Sequence, residues 1–342
     1  MDTVFFTGSY AKIGEKGIAC LFADPETGRI RELFSDTQAY CPSYVLVHPR
    51  LNVLYAVREL TEEGALVTFL IRENSLEKVG EMPTDGADPC HISMDEDCRL
   101  LSVTNYSGGS ISIFRLDEKG IPSEMTEHVE HEGSGPVNSR QESAHPHFSR
   151  FSSGKLYVCD LGADKIFIYD VDPGRGKLSR FGEILLPAGA GPRHLLFPKG
   201  HDDLLYAVGE LSSSLYVFRK NENIWKLTRT VSALPQGCSV QNLSAAIKQS
   251  ADGKALFVTN RGHDSIAVFG ISEEGFPDIK GFCGSGGKTP RDIFVLDRFL
   301  IAADQDSNHL AVLKYEPETF ALTDTGIRHE CISPTCTAAD KE

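Results

Sequence analysis

The chain has 342 residues, of which 41% are hydrophobic and 24% are charged, a composition typical of a folded globular protein. Its formal net charge of −14 repels phosphate backbones and anionic lipids, so we expect neither nucleic acid nor a membrane surface as a partner. No apolar run approaches the roughly eighteen residues of a membrane span. The N-terminal MDTVFFTGSY lacks the basic and apolar regions of a signal peptide, which predicts a cytoplasmic protein.

The predicted elements form a unit that recurs along the chain. The chain opens with two β-rich runs at residues 4–7 and 17–22. Each later unit begins with a proline, or a looser equivalent, followed by alternating apolar residues, at 42–47, 89–94, 146–151, 192–197, 241–247, 290–295 and 334–336. Strand, turn and strand patterns follow, most clearly at 54–57, 101–114, 156–169, 205–218 and 256–269.

Three to four short strands in each unit, with no convincing amphipathic helix, predict the blades of an all-β, seven-bladed β-propeller with four-stranded antiparallel blades. The chain begins on the second half of a unit and ends on the first half. This phase shift predicts that the N- and C-terminal strands pair in one blade and close the ring, leaving no exposed edges. Because no linker or low-complexity tract interrupts the repeats, we expect a single domain over residues 1–342.

Nine cysteines are scattered along the chain, and no two of them form a Cys-x-x-Cys pair. We therefore interpret them as reduced thiols rather than as metal ligands or disulfides. The glycine-rich segment 284–289 lacks the spacing of a phosphate loop, and no helix follows it. We expect neither a metal nor a cofactor.

In a propeller, ligand sites form where loops at one face present side chains toward the axis. One set of candidates follows the second strand of each unit and consists of Ser9, Glu59, Tyr106, Leu161, Glu210, Arg261 and Gln305. A second set lies at the proline element and consists of Ser43, Cys90, His147, Arg193, Asn242 and Arg291. A long polar insertion at 133–147 stretches one spacing to 57 residues, and such loops often cover a site.

Five segments at these loops resemble the signatures of the seven-bladed lactonase family, namely GSGPVNSRQESAHPH, LYVCDLGADKI, GAGPRHLLFP, LYAVGELSSSLYVF and LFVTNRGHDSIAVF. The similarity runs from about Thr7 to about Tyr315 with the segments in fixed order. The best-known members are propeller-type 6-phosphogluconolactonases, and a fungal carboxymuconate-lactonizing enzyme is a more distant one. The resemblance therefore implies a carboxylic ester hydrolase that acts on lactones.

The resemblance also implies a site made of one histidine, two arginines and one glutamate at the channel mouth. Matched residue by residue, these catalytic positions are His147, Arg193, Glu210 and Arg261. The residues expected to bind substrate around them are His145, His194 and Arg291. The sequence departs from the usual family pattern at Gly209 and Asp304, two positions at which asparagine is common.

Lactone hydrolysis needs a base for water, donors for the oxyanion and cations for an anionic substrate. Either Glu210 or His147 is expected to be the base, and Arg193 and Arg261 to hold a phosphate or polarise the carbonyl. The acidic loop residues Glu59, Asp160, Asp304 and Asp306 leave open a hard cation site, although we favour a metal-free reaction.

The expected partner is a small anionic sugar lactone, and the expected reaction is the conversion of 6-phosphogluconolactone to 6-phosphogluconate in the pentose phosphate pathway. One alternative is a cycloisomerase acting on a muconate-like dicarboxylate, because paired arginines bind carboxylates as well as phosphates. Another is a non-catalytic scaffold that binds a protein, which the single tryptophan, Trp225, and the lack of any Trp-Asp dipeptide disfavour. The sequence does not determine the oligomeric state.

Overall fold

Each repeat folds into one four-stranded antiparallel sheet. In the computed structural model, which describes residues 3–340, seven such sheets stand in a ring, and the predicted seven-bladed β-propeller is confirmed. The prediction of one domain over 1–342 stays a prediction, and its residues Met1, Asp2, Lys341 and Glu342 lie outside the described part.

The strands are numbered in chain order and grouped by blade. Blade 1 contains β1 (Val4–Ser9), β2 (Ile18–Ala23), β3 (Ile30–Asp36) and β28 (Pro334–Ala339). Blade 2 contains β4 (Val45–Val47), β5 (Val53–Arg58), β6 (Ala65–Arg72) and β7 (Ser75–Pro83). Blade 3 contains β8 (Pro89–Met94), β9 (Leu100–Asn105), β10 (Ser110–Leu116) and β11 (Pro122–Glu130). Blade 4 contains β12 (Pro146–Ser152), β13 (Lys155–Asp160), β14 (Lys165–Asp172) and β15 (Lys177–Leu185).

The remaining three blades follow the same order. Blade 5 contains β16 (Pro192–Leu196), β17 (Leu204–Gly209), β18 (Ser214–Asn221) and β19 (Ile224–Ser232). Blade 6 contains β20 (Leu243–Gln249), β21 (Ala255–Arg261), β22 (Ser265–Ile271) and β23 (Pro277–Gly284). Blade 7 contains β24 (Pro290–Val295), β25 (Phe299–Asp304), β26 (His309–Glu316) and β27 (Ala321–Glu330).

Blade 1 closes the ring, because it combines three strands from the start of the chain with one from its end. Strand β28 pairs antiparallel with β1, so that Phe5 lies opposite Ala339 and Gly8 lies opposite Cys336. The predicted closure by N- and C-terminal strands is confirmed. It joins residues more than 300 positions apart and pairs β1 on both of its edges, so that blade 1 has four strands like the other blades.

The core lies between neighbouring blades. In residues 3–340, seven apolar clusters fill the seven junctions, each built from the facing sides of two adjacent sheets. The second and third strands of a blade are therefore covered on both faces, which explains their nearly continuous apolar runs, such as Leu204–Gly209. The fourth strands lie at the rim and alternate between exposed and half-buried residues, as in Ser75–Pro83.

Helix is almost absent. The single helical segment within residues 3–340 is one 3₁₀ turn at Gln305–Ser307, and the described part of the chain therefore has no helix of the length and apolarity that a bilayer crossing requires. The nine cysteines are all free thiols.

Candidate functional site

In five of the seven described blades, the innermost strand begins with a proline and then bulges, which moves one side chain out of the ladder. In β8, Pro89 pairs with Asn105 and His91 pairs with Thr104, so Cys90 is the extra residue. Proline is tolerated as the first residue of a strand, and a bulge next to a site redirects a side chain. The corresponding extra residues in four other described blades are His147, Arg193, Arg291 and Thr335.

These five bulge residues converge on one cavity at the ring axis, which we call the central cavity. Its lining consists of Ser43, Tyr44, Glu59, Cys90, His147, Arg193, His194, Arg291, Asp292 and Thr335. The proline repeat thus places one side chain from each of these five blades at a common centre.

In six of the seven described blades, the residue that follows the second strand lies next to this proline element. The backbone N–H of this residue donates to the carbonyl of the residue before the proline, as from Glu59 to Cys41 and from Glu210 to Gly191. In blade 1 the residue with this bond is Tyr10, which donates to Ser333, because β1 ends at Ser9. The sequence therefore placed Ser9 in this set one position too early.

Glu210 is the centre of a buried charge cluster. Its side chain is 2% exposed, and its Oε2 lies 2.7 Å from Arg261 Nη2 and 2.9 Å from Arg193 Nε. Its Oε1 accepts a 2.5 Å hydrogen bond from Nη2 of a third arginine, Arg140. The structure therefore brings together Arg193, Glu210 and Arg261, three of the four residues that the resemblance assigned as catalytic.

The arginines decide the protonation state of Glu210. Burial opposes its ionisation, but the charges of Arg261, Arg193 and Arg140 outweigh burial and lower the pKa of Glu210 to about 2. Burial and repulsion from Arg261 lower the pKa of Arg193, which remains cationic near neutral pH. Glu210 is therefore a permanent carboxylate and a very weak base, suited to holding guanidinium groups in place.

Arg140 is a site residue that the sequence analysis did not single out. It lies in the long insertion, and its Nη2 also donates to the Tyr106 hydroxyl at 3.2 Å. The next residue, Gln141, is fully buried and anchors this loop by donating 2.8 Å hydrogen bonds to the carbonyl of Leu161 and to Asp164 Oδ1. Arg140 lies within the family segment GSGPVNSRQESAHPH, but an irregular loop has no periodicity from which the direction of its side chain can be predicted.

The insertion also packs closely against blade 4 at Gly162. A Cβ on Gly162 would lie 1.8 Å from the carbonyl oxygen of Ser143, so only glycine allows the loop to approach this far. The His145 backbone N–H donates to Asp160 Oδ1 at 2.8 Å, which fixes the loop just before it enters β12. The loop is therefore held on the side of the ring where Glu210 lies.

A second polar cluster surrounds Glu59 on the opposite side of the ring. Its Oε1 accepts a 2.9 Å hydrogen bond from the Tyr10 hydroxyl, and its Oε2 accepts a short one from Ser43 Oγ. Arg291 Nη2 donates to the same Tyr10 hydroxyl at 2.8 Å. Burial raises the pKa of Glu59, and Arg291 together with the Ser43 and Tyr10 hydrogen bonds offsets only part of this rise.

His147 and His194 lie in the central cavity as neutral imidazoles. Burial, followed by the charge of Arg193, lowers the pKa of each ring well below its usual range. The sequence predicted His147 as one of two possible bases, but burial among arginines keeps its ring neutral and weakens its affinity for a proton. Within residues 3–340 the Nδ1 of His147 has no hydrogen-bond partner, whereas His194 Nε2 accepts a 2.9 Å bond from Arg193 Nη1.

His145 has a different environment from the other expected substrate-binding residues. Its ring stacks on Tyr106 at 4.6 Å, its Nδ1 donates to the Tyr106 carbonyl at 3.0 Å, and its Nε2 lies 3.2 Å from Glu142 Oε1. His194 and Arg291 line the central cavity, but His145 is not among its lining residues. The structure therefore places His145 as a support for Tyr106, which in turn contacts Arg140.

The two departures from the usual family pattern have structural explanations. A Cβ at Gly209 would lie 2.4 Å from Ser212 Oγ and 2.7 Å from the Ala190 carbonyl, so the asparagine common in the family does not fit here. Asp304 stands where asparagine is common in the family. The equivalent residue of blade 6 is Asn260, whose Nδ2 donates to a backbone carbonyl at 2.7 Å. A carboxylate has no such donor, and burial raises the pKa of Asp304 to about 7.

The acidic residues considered for a cation do not come together. Asp160 is occupied by His131, whose Nδ1 lies 2.9 Å from its Oδ2, and Glu59 is bound by the two hydroxyl groups described above. Within the described residues, no group of three or more His, Cys, Asp and Glu side chains is arranged to hold a metal ion.

The arrangement provides what acyl transfer to water needs. Guanidinium groups at the cavity wall can stabilise an oxyanion or bind an anionic substituent, and they stand in a site with little solvent, where such contacts are strong. A neutral imidazole with an unpartnered nitrogen and a carboxylate with a raised pKa, Glu59, face the same cavity.

Comparisons with known proteins agree with this chemistry. Residues 4–339 match the family described as "Lactonase, 7-bladed beta-propeller". The chain is 31% identical over 329 residues to the 6-phosphogluconolactonase of Bacillus subtilis, covering 93% of both proteins. It is also similar to the structures of a putative 6-phosphogluconolactonase from Bacteroides uniformis (TM-score 0.91, 28% identity) and of a periplasmic gluconolactonase from Pseudomonas aeruginosa (TM-score 0.92, 26% identity), each covering 98% of both chains.

Proposed function

Because the chain belongs to the seven-bladed β-propeller lactonase family and is a lactone hydrolase, we propose that it converts 6-phosphogluconolactone to 6-phosphogluconate in the pentose phosphate pathway. The observation that carries this choice of substrate is the charge balance of the site. Four guanidinium groups and two carboxylates meet around the central cavity, at Arg140, Arg193, Arg261 and Arg291 and at Glu59 and Glu210. A third carboxylate of the cavity wall, Asp292, has its own cation, because its Oδ1 lies 3.7 Å from Lys248 Nζ.

A surplus of positive charge is unusual in this protein, whose formal net charge is −14. The excess of two positive charges matches a phosphate group, which carries a charge of about −1.5 to −2 near neutral pH. An unphosphorylated lactone would leave the buried cations without a counterion, which costs free energy in a poorly solvated site. The phosphorylated lactone is therefore the favoured substrate.

The contacts of each site residue indicate its role in the reaction. Glu210 orients Arg193 and Arg261, so that their remaining N–H groups can bind the phosphate or the lactone carbonyl. His147 and His194 line the cavity as neutral rings, and the unpartnered Nδ1 of His147 can contact the substrate. Arg291 extends the cationic surface on the far side of the cavity.

The test is a comparison of hydrolysis rates. Purified protein is mixed with freshly made 6-phosphogluconolactone or with gluconolactone, and the spontaneous rate at the same pH is subtracted. We expect the larger kcat/KM for the phosphorylated lactone, and a fall of about 100-fold or more for Arg193→Ala and Arg261→Ala. EDTA should leave the rate unchanged, and a loss that calcium restores would contradict the metal-free reaction. If the rates with both lactones equalled the spontaneous rates, the proposed substrate would be wrong.

The cycloisomerase alternative rests on the same arginines, since a dicarboxylate also binds paired guanidinium groups. The same protein is therefore assayed with a muconate-like dicarboxylate. Turnover of the dicarboxylate without lactone hydrolysis would favour that alternative over the proposed substrate.

We also propose that the protein works in the cytoplasm, as the sequence predicts. Nine free thiols suit a reducing compartment, in which disulfides rarely form. Fractionation of the cells that produce the protein tests this, and recovery of the protein in the periplasmic or secreted fraction would contradict it.

A further inference from the structure

The cluster around Glu59 is assembled from three blades, and its hydrogen bonds are separate from those around Glu210. Blade 1 supplies Tyr10, blade 2 supplies Ser43 and Glu59, and blade 7 supplies Arg291. Two hydroxyl groups from different blades thus meet at one carboxyl group, and Arg291 reaches it through the Tyr10 hydroxyl. That carboxyl group lines the central cavity beside His147 and Arg193.

We propose that Glu59 is the general base of the lactonase, the group that removes a proton from the water that attacks the lactone carbonyl. This inference rests on the proposed lactone hydrolysis and names the residue that activates water in it. It replaces the two bases considered from the sequence, Glu210 and His147.

The hydrogen bonds of Glu59 leave it able to accept a proton. An ionised carboxylate has about four lone-pair positions, and Tyr10 and Ser43 each occupy one on a different oxygen. Glu210, by contrast, is surrounded by three guanidinium groups, and they suppress its affinity for protons. Of these two carboxylates at the axis, Glu59 is the stronger base.

The electrostatic surroundings support this role. The charged or titratable groups close to Glu59 are Arg291, Tyr10, Asp88, Cys41 and Cys90, and the same cavity is also lined by Arg193, His147, His194 and Asp292. Arg291 is the cation that lowers the pKa of Glu59 most, and burial nevertheless raises this pKa above its usual value. A carboxylate with a raised pKa takes a proton from water more readily in the transition state than an unperturbed one does.

Glu59 takes up one proton and releases it again in each reaction cycle. Its carboxylate takes a proton from water while the water oxygen bonds to the carbonyl carbon, and the carbonyl electron pair moves to oxygen, where Arg193 can stabilise the oxyanion. When the C=O bond re-forms, the ring C–O bond breaks, and the ring oxygen receives the proton held by Glu59. The product carboxylic acid ionises to solvent, and Glu59 is a carboxylate again.

Tyr10 and Arg291 are positioning residues in this scheme. The Tyr10 hydroxyl receives a hydrogen bond from Arg291 and donates its own to Glu59, so it orients the carboxylate and favours its ionised form. Removing that hydroxyl should therefore raise the pKa of Glu59 further.

The experiment measures the pH dependence of kcat/KM for 6-phosphogluconolactone with wild type, Glu59→Gln, Glu59→Asp and Tyr10→Phe. In wild type we expect the rate to rise with pH through the pKa of Glu59 and then level off, because the base must be ionised. Glu59→Gln should lower kcat about 100-fold or more, change KM little and lose this rise. Glu59→Asp should restore part of kcat, and Tyr10→Phe should move the rise to higher pH.

Glu62→Gln is the matched control, because Glu62 is exposed and lies three positions away. Circular dichroism and thermal unfolding establish that the variants are folded. If Glu59→Gln did not fold, an unmoved pH profile in Tyr10→Phe would still refute the role. A folded Glu59→Gln with wild-type kcat, or one with reduced kcat and an unchanged rise, would also overturn it. Wild-type rates equal to the spontaneous rate with every lactone would instead refute the proposed function, and the role of Glu59 with it.

Discussion

Substituting Glu210 by glutamine should destabilise the protein by an amount that the geometry allows us to calculate. The three arginines lower the pKa of Glu210 from 4.5 to about 2. At about 1.4 kcal/mol per pKa unit, the ionised group contributes about 3 kcal/mol to the free energy of unfolding at neutral pH. This agrees with the roughly 3–5 kcal/mol lost when one member of a buried ion pair is removed.

The unfolding temperature should change accordingly. An unfolding entropy of about 2.1 cal/mol/K per residue, applied to 342 residues, gives a decrease of about 4 °C for Glu210→Gln near neutral pH. Differential scanning calorimetry of wild type, Glu210→Gln and the exposed control Glu62→Gln measures it. Glu62→Gln should unfold at the wild-type temperature.

The pH dependence tests the cause of the change. Because the pKa of Glu210 is lower in the folded than in the unfolded chain, its contribution is complete above about pH 5 and disappears as the pH falls to about 2. The difference between wild type and Glu210→Gln in urea unfolding should shrink over this range. Equal stability of the two proteins near neutral pH, or a difference that stays constant down to about pH 2, would refute the assignment of Glu210 as a carboxylate held by arginines.

Two further predictions concern residues next to this cluster. Arg140→Gln should raise KM for 6-phosphogluconolactone about tenfold, because one charge-assisted hydrogen bond is lost, and initial-rate kinetics with an unchanged KM would contradict this. It should lower the unfolding temperature less than Glu210→Gln does, because Arg140 is about one third exposed and Arg193 and Arg261 remain beside Glu210. Asp304→Asn should stabilise the protein by about 4 kcal/mol near pH 8 and much less below about pH 4, because burial raises the pKa of Asp304 from 3.8 to about 7 and its ionisation in the folded state is therefore unfavourable as the pH rises toward 7. Urea unfolding at the two pH values measures the latter, and an equal effect at both would contradict it.

The sequence predicted the parts of the fold that repeat. The proline elements specified the innermost strands, and the phase shift at the chain ends specified the pairing of β28 with β1, because both depend on local pattern and on the need to pair strand edges. Arg193 and Arg291 were placed in one set by the same repeat, and both lie in bulges at the cavity. The repeat in the sequence was therefore sufficient to predict those strands and side-chain positions that the blades have in common.

The remaining parts of the site depend on features that do not repeat. Arg140 reaches Glu210 from an irregular insertion, and its direction follows from the anchoring of Gln141 inside blade 4. Tyr10 was missed by one position, because the first unit has no preceding proline from which to count. The neutral state of His147 follows from burial among arginines contributed by other blades, which no local pattern reveals.

The two glutamates at the axis show why a site with repeated geometry can carry out distinct tasks. Glu59 and Glu210 occupy the same position in blades 2 and 5, and both donate their backbone N–H to the residue before a proline. Their neighbours differ, since Glu210 meets three guanidinium groups while Glu59 meets two hydroxyl groups and a single arginine beyond one of them. The pKa values therefore diverge in opposite directions from the same starting value. One carboxylate is fixed as a counterion that orients cations for the substrate, and the other keeps the proton affinity that activating water requires.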